Sequence, residues 1–136
     1  MITVCKMAAT LRERVADGSL ASMCDCLGID LLVLHGSAVD DPATAGDLDL
    51  AYLPTPGADV DHLQVIEELA RLVPGDHLDV MPLHRADPVA TYAALGLGDP
   101  LVERRPDVFA EQQIRAFGEY RDTQKFRDMA LRLVGT

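Results

Sequence analysis

Ile29-Asp30-Leu31-Leu32-Val33-Leu34-His35-Gly36-Ser37, followed after nine residues by Asp47-Leu48-Asp49-Leu50-Ala51-Tyr52-Leu53, is the stretch that decides the fold. The first run is apolar apart from Asp30, the pattern of a buried strand, and it stops at His35-Gly36-Ser37. Ala38 to Gly46 holds two aspartates, a proline and a threonine, which reads as a short helical turn or loop. The second run alternates, so it reads as a strand with Asp47 and Asp49 on one face.

Working outward, His77-Leu78-Asp79-Val80-Met81-Pro82-Leu83 is a third strand candidate, and its proline places it at an edge or marks a strand end. Between these strands, Val60, Leu63, Ile66, Leu69 and Val73 mark a helix closed by Pro74-Gly75. Upstream, Leu11, Val15, Leu20, Met23 and Leu27 recur at helical spacing, with a break at Asp17-Gly18-Ser19 and an end at Gly28. Downstream, helices are predicted over Pro88 to Leu97, Phe109 to Phe117 and Tyr120 to Val134, with a short extended piece at Leu101-Val102. Phe109, Ile114, Phe117, Tyr120, Phe126, Met129 and Leu133 read as core or helix-pair packing. The expectation is an α/β (α+β) fold: a small mixed sheet carrying three aspartates, with helices packed on one side, in a single domain over residues 1–136.

At a formal net charge of −10 the chain lacks the basic stripe that long nucleic acids require. No run approaches the ~18 apolar residues of a membrane span, and the N-terminus lacks a signal-peptide layout, so a cytoplasmic location is expected. Cys5, Cys24 and Cys26 have neither disulfide-framework nor zinc-knuckle spacing and read as reduced thiols.

The chemistry lies in the carboxylates. Aspartates two apart on a strand project side by side and suit magnesium, a hard cation that takes oxygen ligands and keeps water and phosphate in the rest of its shell. Burying such a pair without a cation is costly. Gly36 lets the backbone turn sharply and approach a phosphate, and Ser37 offers a hydroxyl and an N–H to it. Asp79 on a neighbouring strand would complete a metal site and accept the proton of an attacking hydroxyl, as in two-metal displacement at phosphorus.

This Gly-Ser, spacer, Asp-x-Asp and later acid resemble the DNA polymerase β-like nucleotidyltransferase superfamily, and most closely its minimal nucleotidyltransferases (MNT). The likeness runs from the strand before Gly36, through Leu78-Asp79-Val80, to Ala86-Asp87-Pro88, Gly98 to Arg104, and the last helix with Tyr120 and Asp122. The chain departs from the family in having Val39-Asp40 where an Arg-Gly pair is common, and Gly46 where a serine often precedes the first aspartate.

The resemblance implies a magnesium-dependent antitoxin that transfers AMP from ATP to a tyrosine of a HEPN-type ribonuclease toxin, forming a hetero-oligomer with it. Asp47, Asp49 and Asp79 would be the metal ligands and catalytic carboxylates, with Asp79 the base, and Gly36 and Ser37 would hold the β and γ phosphates. Two alternatives stand beside it: nucleotidyl transfer to a small molecule of the aminoglycoside type, and a non-catalytic antitoxin that neutralises its partner by contact. His35 reads as packing beneath the site, while His77 and His84 read as surface or loop histidines. Arg71 and His77 match the spacing of a HEPN signature only by coincidence, since Pro74-Gly75 separates them.

Overall fold

The structure, a computed structural model, describes residues 1–134. Helix α1 (Val4–Ala16) starts at Thr3, whose hydroxyl accepts from Lys6 N, and α2 (Ser19–Leu27) follows a break at Gly18, which is left-handed at φ 83°. Gly28, also left-handed, closes α2 with its N–H on the Cys24 carbonyl. Strand β1 (Ile29–His35) leads through Gly36 into a short 3-10 turn at Ser37–Val39, and β2 (Leu48–Pro54) comes after the loop.

Helix α3 (His62–Leu72) is capped by Asp61 and followed by β3 (Leu78–Pro82). A second 3-10 turn (Leu83–Arg85) leads to α4 (Pro88–Gly96), capped by Asp87 with Pro88 in its first turn. Strand β4 (Asp99–Glu103) and α5 (Val108–Val134) complete the order.

The sheet order is β3-β2-β1-β4, with β1 antiparallel to both neighbours and β2 parallel to β3. The α/β class and the mixed sheet agree with the sequence reading. β3 is an edge strand and ends on Pro82, so both expectations for that proline hold. The extended piece at Leu101-Val102 is a full fourth strand on the other edge, where Pro100 is tolerated.

One detail of the expected architecture is corrected: helices cover both faces of the sheet. Leu32, Leu34, Leu48, Leu50 and Tyr52 join Met7, Leu11, Leu20, Val65 and Leu69 of α1–α3 in one buried cluster. Leu31, Val33 and Ala51 join Ala94 and Leu95 of α4 and Val108 and Ala116 of α5 in another. The reason is visible in β1, whose unbroken apolar run gives both strand faces a need for cover.

The two expected C-terminal helices are one, because Gly118 sits in open space and a lone glycine costs only about 1 kcal/mol in a helix. The expected core or helix-pair packing of the apolar residues of α5 holds for Phe109, which packs on the second cluster, and for Phe117 and Tyr120, which pack on Tyr92 of α4. It does not hold for Ile114, Phe126, Met129 and Leu133, which are exposed, Phe126 by 72%. Arg127 lies over the Tyr120 ring, which stacks on Tyr92 of α4 and fastens the helix to the body. Among the described residues no helix is long and apolar enough to cross a membrane.

Candidate functional site

The structure brings Gly36, Ser37, Asp49 and Asp79 to one end of the sheet. In β2, Leu48, Leu50 and Tyr52 face α1–α3, whereas Ala51 and Leu53 face α4 and α5. Strand alternation therefore turns Asp49 toward the α4–α5 side, at the end of the sheet that lies beyond the apolar cover. Register then sets two partners beside it: His35 opposes Asp49 across β1 and β2, and Asp79 opposes Asp49 across β2 and β3. The result is a cross-strand row, His35, Asp49, Asp79.

Gly36 is held at φ 76° and ψ −163°, a region that side chains other than hydrogen do not tolerate. Its second constraint is steric. A Cβ there would meet Oδ2 of Asp49 within bonding distance of a clash, at 2.3 Å, so the glycine leaves the space in which that carboxylate sits. Ser37 is exposed and opens the 3-10 turn, directly after the strained residue.

Asp47 departs from the sequence reading. It was expected inside the strand beside Asp49, but β2 begins at Leu48, pinned by a 2.7 Å bond from its N–H to the His77 carbonyl. Asp47 is exposed just ahead of the strand, and its charge still acts on Asp49.

The electrostatics follow from this crowding. Burial raises the Asp49 carboxyl above the ordinary carboxylate range; His35 pulls it back, while Asp79 and Asp47 push it further up, and a hydrogen bond with Asp79 adds to the rise. Burial lowers His35, against the pull of Asp49 and Asp79.

Among the described residues no three His, Cys, Asp or Glu side chains converge into a preassembled metal site. The residues nonetheless fit a hard divalent cation. The donor set is carboxylate oxygen, the glycine leaves one of those carboxylates its space, and among the described residues no Lys or Arg ion pair is formed by Asp47, Asp49 or Asp79, whose like charges gather at one end of the sheet. His35, which the sequence placed beneath the site, is part of its row. No local signal could reveal this, because the row depends on pairing between strands.

No protein-family model matches the sequence. No curated protein matches it either. Comparison with solved structures gives the fold: it is similar to the minimal nucleotidyltransferase (MNT) fold found in a toxin–antitoxin complex with an MNT antitoxin.

A toxin–antitoxin complex with AMP-PNP aligns at a TM-score of 0.70 and 17% identity, covering 88% of this chain and 98% of the other. The MNT antitoxin complexed with the tri-AMPylated HEPN toxin of Shewanella oneidensis aligns at 0.68 and 16%, covering 93% and 99%. An MntA–HepT toxin–antitoxin structure aligns at 0.66 and 17%, covering 90% and 99%. At these identities the likeness is one of fold.

Proposed function

We propose that this chain is a magnesium-dependent nucleotidyltransferase that serves as an antitoxin, transferring AMP from ATP to a tyrosine of a HEPN-type toxin. The observation that carries the reading is the pairing of Asp49 with Asp79 across parallel strands, beside Gly36-Ser37, within a minimal nucleotidyltransferase fold. Structures of similar fold contain AMP-PNP in one case and an AMPylated HEPN toxin in another, which supports ATP and a toxin as the substrates. The exposed apolar residues Phe126 and Met129 on α5 suit a protein acceptor better than a small molecule.

In this reading Gly36 and Ser37 receive the β and γ phosphates, the glycine by close backbone approach and the serine by its hydroxyl. Asp47, Asp49 and Asp79 hold the cation. Magnesium, when bound, neutralises the phosphate charge and orients the reacting oxygens.

The toxin tyrosine hydroxyl attacks the α-phosphorus. A new oxygen–phosphorus bond forms as the bond to the bridging oxygen breaks, and pyrophosphate leaves. Asp79, at the open edge of the sheet, takes the hydroxyl proton.

The test is intact mass spectrometry of the partner toxin after incubation with this chain, ATP and magnesium, comparing wild type with Asp47→Asn/Asp49→Asn. An AMP-sized increment that disappears with the double substitution supports the reading. Stable association without any increment would leave a binding antitoxin in its place.

A further inference from the structure

His35 carries an anomaly of its own. The Leu50 backbone engages its ring by a hydrogen bond, and Nε2 is left over as a nitrogen that can accept. That Nε2 is buried, and among the described residues it is the one buried side-chain nitrogen or oxygen without a hydrogen-bond partner. Such atoms are rare in folded proteins, and they point to a donor that comes from outside the chain.

The row explains which donor. His35, Asp49 and Asp79 stand side by side across three strands, so an acceptor nitrogen without a partner lies beside two carboxyl groups. A bare anion would be repelled. A bare alcohol would satisfy the imidazole but leave the carboxylates uncompensated.

A hydrated divalent cation meets both needs, since it presents charge to the carboxylates and outward O–H groups to a neighbouring acceptor. Direct ligation by the imidazole fits less well, because magnesium prefers oxygen ligands.

We propose that His35 is a positioning residue for the cation: its Nε2 accepts a hydrogen bond from a water in the hydration shell of the ion held by the aspartates. This inference rests on the metal-dependent reading above. It assigns to His35 the task of fixing how that shell is oriented at the end of the sheet, without contact with the reacting atoms.

The experiment uses Mn2+ as a paramagnetic probe, titrated into the full chain without nucleotide and followed by electron paramagnetic resonance. His35→Phe keeps the ring volume and removes the acceptor, and His35→Gln restores an oxygen acceptor. Removing such a partner weakens metal binding about 10- to 100-fold. That loss is expected for His35→Phe, with His35→Gln staying close to wild type.

Near-UV circular dichroism checks the fold; should the Phe variant not fold, His35→Met read against His35→Gln decides in the same way. Wild-type Mn2+ affinity in the acceptor-free variant overturns the inference, as does a 14N coupling of the size that direct imidazole ligation gives. If wild type binds no Mn2+, the metal-dependent reading itself falls. If Asp49→Asn abolishes binding while the His35 variants are unaffected, only the role of His35 falls.

Discussion

Asp49 and Asp79 stand directly opposite each other on β2 and β3, their carboxyl groups near enough to share a hydrogen bond. Such a pair is strained at neutral pH in the absence of a cation. The folded carboxyl of Asp49 is raised, so its favourable contribution exists below the unfolded carboxylate range and is lost as pH rises. Asp79→Asn is therefore expected to melt at or above the wild-type temperature in EDTA at pH 7. Magnesium should raise the melting temperature of wild type and leave that of the variant unchanged. Differential scanning fluorimetry reads both, and a variant several degrees less stable in EDTA would contradict the strain.

Gly36→Ala tests the cradle. The backbone at φ 76° and ψ −163° resists a side chain, at a cost of about 1–3 kcal/mol, and the added methyl would also displace the Asp49 carboxylate. The expected outcome is a lower denaturation midpoint in urea together with loss of ATP binding by calorimetry. A variant that binds ATP normally would remove the glycine from the site.

Asp30 is the buried acid of β1, only 5% exposed, and it is held by a 2.6 Å bond from the Thr55 hydroxyl and by Arg105 at 3.5 Å. Its backbone carbonyl also accepts from Arg104 N, so the residue ties the β2–α3 loop to the end of β4. Thr55→Val strips a buried carboxylate of its hydroxyl donor and is expected to cost about 1–3 kcal/mol in urea unfolding. Arg105→Ala should cost less, because that side chain is partly solvated.

Cys24 is buried in the core with its thiol pushed up to about 12 from 9.0, chiefly by burial, while Cys5 and Cys26 are exposed. Native protein should thus alkylate at Cys5 and Cys26 and spare Cys24 until it unfolds, as peptide mapping would show. Because the folded thiol keeps its proton longer than the unfolded one, the stability tied to Cys24 is complete below pH 9 and declines toward pH 12. The slope is at most about 1.4 kcal/mol per pH unit. Cys24→Ala should flatten that part of an alkaline denaturation profile.

Phe126 is 72% exposed on the second half of α5, so Phe126→Asp is expected to change stability by no more than about 0.5 kcal/mol. Helical circular dichroism should persist. Loss of folding would place Phe126 in a core after all.

Much of this architecture can be read directly from the residues. The apolar run of β1, the alternation of β2 and the glycine breaks at Gly18 and Gly28 specify their elements locally, because strand periodicity and left-handed backbone are short-range properties. Gly36, Ser37, Asp49 and Asp79 can be picked out as a group because a Gly-Ser after an apolar strand, an Asp-x-Asp and a later strand acid form a pattern readable along the chain, and the structure brings the four to one end of the sheet. The continuity of α5 through Gly118 was less legible, since a single glycine signals a break only when nothing else holds the helix, and here Tyr92 stacks on Tyr120 beyond it.

What tertiary structure alone decided is everything that depends on register. The sequence places His35 and Asp79 more than forty residues apart and says nothing of which residues oppose Asp49; pairing of β1 with β2 and of β2 with β3 makes them neighbours. The same holds for the start of β2, where the bond from Leu48 N to the His77 carbonyl leaves Asp47 outside the strand. Periodicity fixes the face to which a side chain turns, whereas its neighbours on that face are set by hydrogen bonding between strands distant in sequence, and a one-residue slip in that pairing would dissolve the row.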